Sequence, residues 1–142
     1  SKSLWPETLK MYGHNSEIAR LSSTLSARTS RFAKFSSPYV DQVLVASSTK
    51  ARDVNTATIR MWDVDTNRCL QTLQGGHRST VTAMGFSPDG TYFASSGKDR
   101  RLCVWKRHSV EKSSENNDDL FFLACAINSS HKRIVWSVHF CP

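Results

Sequence analysis

The stretch GHRSTVTAMGFSPDGTYFASSGKDRRLCVWKR, residues 76–107, holds His77, Ser95, Ser96 and Asp99, the three side-chain types of a hydrolytic triad. A serine nucleophile needs more than those types. It needs an exposed hydroxyl, a base within reach and an oxyanion hole, commonly on a strained turn such as GxSxG. The chain contains no such turn. A second set, Cys125, His131, His139 and Cys141, has side chains that suit zinc, yet its spacing gives no compact ligand pair. The reading is therefore no catalytic residues, no metal and no cofactor, and the serine, histidine and aspartate call for a positional explanation.

The elements around them supply it. Apolar residues alternate with period two through TVTAMGF, with enough apolar character on both faces for a strand packed on both sides. Ser87-Pro88-Asp89-Gly90 is a turn in which proline presets φ and glycine takes the left-handed position. TYFASSG and RLCVWKR read as the next two strands, joined by a tight turn at Lys98-Asp99-Arg100. The nearest candidate for a helix, IARLSSTLSARTSRFAKF, is serine-rich and only weakly periodic.

The arrangement recurs. QVLVASS (42–48) matches TYFASSG, TATIRMWDVD (56–65) matches RLCVWKR, and Gly13-His14 matches Gly76-His77. Downstream, His131 followed by RIVWSVHFCP (133–142) matches His77 followed by VTAMGFSP. CLQTLQ (69–74) and LFFLACAI (120–127) supply fourth strands, and WPETLKMY (5–12) supplies one belonging to a preceding unit. Trp62 and Trp105 lie 43 residues apart, inside the range of about 40–45 for a four-stranded propeller repeat.

The balance is basic, with 19 Lys and Arg against 12 Asp and Glu. Most of the charge is spread along the chain, as a solvated surface requires. A cluster stands out at Arg20, Arg28, Arg31 and Lys34, interleaved with Phe32, Phe35 and Tyr39 as in RNA-binding surfaces. The competing reading is a surface loop whose aromatics fold back onto the sheet. No apolar run is long enough for a membrane span, and the four cysteines show no CxxC, which suits reduced thiols and no membrane partner.

Gly76-His77, the SPDG turn, Ala94-Ser95-Ser96-Gly97, Asp99, the Trp62-Asp63 dipeptide and Trp105 together resemble the WD40 repeat. The resemblance implies an all-β propeller fragment of about two four-stranded blades with partial blades at both ends. Its divisions are 1–12, the last strand of a preceding blade; 13–74, a first repeat with an insertion at 19–40; 75–127, a second repeat; and 128–142, the start of a third. It also implies a structural hydrogen-bonded tetrad of His77, Ser95 or Ser96, Asp99 and Trp105, since buried indole and imidazole N–H groups must find acceptors. The first repeat keeps His14 and Trp62 but has Thr56 where Asp99 would stand, so its tetrad is expected to be incomplete. Two repeats cannot close a ring of about four to eight blades, so the chain reads as an excerpt of a longer protein, with open edges that disfavour solubility.

SLWPETLKMYGHNSEI (3–18) and HKRIVWSVHF (131–140), with the order of pieces between them, resemble the Elongator subunit 2 family. That resemblance implies a place late in the second of two propellers and a non-catalytic scaffold, cytoplasmic and nuclear. Its partners would be the large scaffold subunit and the iron–sulfur, SAM-dependent catalytic subunit that modifies tRNA wobble uridines. An indirect or weak tRNA contact through Arg20, Arg28, Arg31 and Lys34 is a further expectation. The alternatives are a WD40 scaffold of another intracellular complex, and a propeller with direct RNA contacts through its basic insertion.

Overall fold

The computed structural model describes residues 10–24, 42–109, 119–128 and 131–141. They form eight strands: β1 (Ile18–Ser23), β2 (Leu44–Thr49), β3 (Ile59–Asp63), β4 (Arg68–Leu73), β5 (Val81–Phe86), β6 (Tyr92–Gly97), β7 (Leu102–Arg107) and β8 (Phe121–Ile127). Each run of four makes one antiparallel sheet, in the orders β1-β2-β3-β4 and β5-β6-β7-β8. These are two blades of a β-propeller. Strand β1 lies against β5, and β4 touches β8, so the blades stand side by side with inner strand by inner strand.

The alternation read in the sequence carries the registers. Ser47 lies across from Arg60, and at the same place in the second blade Ser95 lies across from Cys103. Both inner strands carry an irregularity at corresponding points, between Ile18 and Arg20 and between Val81 and Ala83. The SPDG turn closes as its residues dictate: the Gly90 amide donates to the Ser87 carbonyl at 2.9 Å, and Gly90 takes φ of 75°. The Asp89 carboxylate accepts the Ser87 hydroxyl at 2.6 Å and the Thr91 amide at 3.0 Å. Burial alone would raise the Asp89 carboxyl; the Ser87 and Thr91 donors outweigh it and hold the group below its ordinary value.

One apolar cluster serves both sheets, with Leu44, Ile59, Met61 and Leu73 from the first and Val81, Phe93, Trp105 and Phe121 from the second. Phe93 sits at its centre on the second blade, 4.7 Å from Phe86 and edge-on to Phe121 at 6.3 Å between ring centroids. Polar bridges seal the same junction. The Thr80 hydroxyl donates to the Ala51 carbonyl at 3.0 Å and accepts the Ala51 amide at 2.9 Å. The Gln71 side-chain amide pairs with the Phe121 backbone in both directions, at 2.8 and 2.7 Å.

Three sequence expectations change. Residues 18–23 are the first strand of the first blade, not part of an insertion beginning at 19. Their serines hid the strand, yet Ser22 and Ser23 pair across to Ala46 and Val45 as strand residues do. Residues 10–12 lie outside any strand, and 5–9 fall outside the described residues. Residues 133–141, expected as a new first strand, run beside β5 without forming a ladder; the Thr82 hydroxyl donates to the Val135 carbonyl at 2.6 Å.

Candidate functional site

In the second blade, the glycine–histidine loop before β5, the strand β6, its turn and the strand β7 bring His77, Ser95, Asp99 and Trp105 together. The Trp105 indole N–H donates to Ser95 Oγ at 2.9 Å. Ser95 Oγ lies 2.7 Å from His77 Nε2, and His77 Nδ1 lies 3.1 Å from Asp99 Oδ2. A carboxylate only accepts, so Nδ1 carries the ring proton and Nε2 accepts from the Ser95 hydroxyl. Every bond in the chain then points the same way, from indole to hydroxyl to imidazole to carboxylate. The sequence left Ser95 and Ser96 open; Ser95 is the member, while Ser96 Oγ donates to the Arg101 carbonyl at 2.7 Å.

Burial would raise the Asp99 carboxyl, but His77 and the backbone amides of Arg78 (2.8 Å) and Arg101 (3.1 Å) outweigh it and hold it below its ordinary value. The reason for Gly76 is close approach: a Cβ there would stand 2.5 Å from Cζ2 of Trp105. Cys103, beneath the same indole, donates its thiol to the Gly76 carbonyl, and burial pushes that thiol up to about 11. His77 is 1% and Ser95 0% exposed. The Ser95 hydroxyl is thus buried and bonded on both sides, and the arrangement ties the loop before β5 to strands β6 and β7.

The first blade builds a shorter chain. The Trp62 indole donates to Ser47 Oγ at 2.7 Å, and Ser47 Oγ lies 2.6 Å from His14 Nε2. Thr56 lies on the surface and its amide donates to Asp53 Oδ1 at 2.9 Å, so neither residue stands in for Asp99. Arg60 occupies the register position of Cys103. Burial first, and then the Arg60 charge, lower the His14 imidazole below its ordinary value. Where the second histidine faces a carboxylate, the first faces a guanidinium.

Of the basic cluster, Arg20 is described and Arg28, Arg31 and Lys34 fall outside the described residues. Arg20 sits on β1, its Nε donating to the Thr82 carbonyl of the second blade at 2.7 Å. Sequence reasoning missed this bridge, as it missed those of Thr80 and Gln71, because no local pattern marks a partner 29 to 62 residues away. Cys125 lies on the outer strand β8, while Cys141 follows the segment beside the inner strand β5.

The pattern of the WD domain, G-beta repeat family matches residues 67–106. Rat Elongator complex protein 2 is 33% identical over 140 residues, covering 98% of this chain and 15% of that protein. The Danio rerio protein of that name is 34% identical over 134 residues, 94% of this chain and 14% of its own length. Residues 67–106 thus match a WD40 repeat, and the chain is similar along nearly its whole length to Elongator complex protein 2. The Saccharomyces cerevisiae relative of that name is 30% identical over 139 residues, again 98% of this chain and 15% of that protein. The chain thus spans about one seventh of the curated relatives it matches. A solved structure, the β-propeller domain of Myceliophteria thermophila Cps50 (Swd1), is 17% identical with a TM-score of 0.47, covering 66% of this chain and 24% of that one, a likeness too weak to build on.

Proposed function

We propose that this chain belongs to a non-catalytic scaffold subunit of the Elongator complex, cytoplasmic and nuclear, that supports wobble-uridine modification in tRNA by holding other subunits. The observation that carries the reading is similarity to Elongator complex protein 2 from several organisms over 94% or more of the chain. The buried tetrad agrees with it: side chains that resemble a hydrolase set are spent on joining strands, which suits a rigid surface for partners.

The test is affinity purification of the tagged full-length protein, with mass spectrometry of what accompanies it and of tRNA nucleosides from a deletion strain. The large scaffold subunit and the catalytic subunit should co-purify, and wobble-uridine modification should fall on deletion. Co-purification with an unrelated complex, or normal modification after deletion, would reassign the chain to a different WD40 scaffold.

A further inference from the structure

The second blade ends its hydrogen-bonded chain on a carboxylate; the first blade leaves the same place to donors. The Trp62 indole donates to Ser47, so the Ser47 hydroxyl donates to His14 Nε2 and the ring proton sits on Nδ1. In the second blade that N–H goes to Asp99. Among the described residues nothing accepts it from His14. Arg60 packs against the same loop: a Cβ on Gly13 would stand 3.1 Å from Cη2 of Trp62 and 3.2 Å from Cζ of Arg60. The Arg60 Nε is shut from water without a hydrogen-bond partner, and among the described residues no carboxylate pairs with the guanidinium.

His14 and Arg60 are both half-buried, so water screens the guanidinium less than it screens a surface charge. The described acids of the first blade are engaged or distant. Glu17 pairs with Lys50, Asp53 accepts from Thr56 and Asp63 accepts from Gln42. Asp65 lies in the turn at the far end of β3. The loop opens to solvent on either side of the Gly13–His14 pair, with Tyr12 and Asn15 exposed. What this set of donors lacks is an acceptor. An arginine fork matches the two oxygens of a carboxylate in one plane, and the imidazole N–H adds a further donor. The protein's own precedent, Asp99 at 3.1 Å from the matching nitrogen of His77, selects a carboxylate over a phosphate.

We propose that Arg60 and His14 form a binding site for a carboxylate side chain of a partner protein, held by the guanidinium fork and by the His14 Nδ1–H. The partner completes from outside the chain of bonds that the second blade completes from within. The site adds a contact point to the scaffold reading and does not depend on which complex the chain joins.

The experiment is fluorescence anisotropy of the full-length protein with a labelled oligoglutamate peptide, together with phenylglyoxal labelling of arginines read by mass spectrometry. Arg60→Gln should weaken peptide binding about 10- to 150-fold, the loss of hydrogen bonds to a charged group. Arg68→Gln removes the same charge from an exposed residue at the start of β4 and should change affinity by no more than about 2-fold. Arg60→Lys keeps the charge without the fork and should recover only part of the affinity. Urea unfolding checks that each variant is folded. The labelling needs no variant: in the wild type Arg60 should react with phenylglyoxal, and the peptide should protect it. Wild-type affinity in Arg60→Gln or Arg60→Lys would overturn the proposal. So would an Arg60 that is unreactive without peptide, because another part of the protein then covers it. Tighter Arg60-dependent binding of a phosphoserine peptide of equal charge would also overturn it, by making this a phosphate site.

Discussion

The two histidines of the two blades occupy matching places and differ in what surrounds them. His77 donates to Asp99, so that blade keeps its chain from indole to carboxylate. His14 has Ser47 on Nε2 and the Arg60 charge nearby, which with burial lowers it below its ordinary 6.5. The unfolded chain therefore takes up that proton first as pH falls. The contribution of His14 to stability is complete above pH 6.5 and is lost as the pH drops through and below that value. Urea unfolding at pH about 7.5 and about 5.5 should show a loss on acidification that is smaller in His14→Gln; an equal loss in both proteins would remove His14 from the account. The resemblance to the WD40 repeat made His77, Asp99 and Trp105 legible and left the choice between Ser95 and Ser96 open. Arg60 was not legible. Its effect on His14 comes from register across β2 and β3, and no local feature of TATIRMW announces it.

At the scale of elements, strands bounded by turn signals could be read and junctions could not. SPDG and the Asp99 turn punctuate the second blade, so β5, β6 and β7 fall where alternation put them. Strand β1 lacks such punctuation and carries serine at two of its six positions, so it looked like the edge of an insertion. The joints between blades depend on residues with many possible partners. Thr80 shows the consequence: its hydroxyl alone satisfies both backbone groups of buried Ala51. Thr80→Val keeps the shape and removes both bonds, leaving a buried N–H and C=O unpaired, which should cost about 1–3 kcal/mol. Chemical denaturation of the variant measures it. A change within about 0.5 kcal/mol, the range of ordinary surface substitutions, would mean that water replaces the hydroxyl and the joint is not sealed.

For the whole molecule the question is whether the two blades are two folding units or one. Each sheet is built from four consecutive strands of the chain, which favours independence. Against that, the apolar cluster is continuous: Leu44, Ile59, Met61 and Leu73 of one sheet pack into the same core as Val81, Phe93, Cys103 and Trp105 of the other. Four polar links cross the same boundary, from Arg20 to Thr82, Thr80 to Ala51, Gln71 to Phe121 and Arg107 to Gln42. Splitting the blades would expose that apolar surface and strand the buried ends of those bonds, so opening one blade should open the other. Met61→Ala tests this from the first blade, where the side chain is fully buried and its loss should cost about 2–5 kcal/mol. Native-state hydrogen exchange then reads both sheets at once. Protection should fall by the same free energy in β2–β3 and in β6–β7, although Met61 belongs only to β3. Loss confined to the first sheet would show that the shared core couples the blades too weakly to make them one unit.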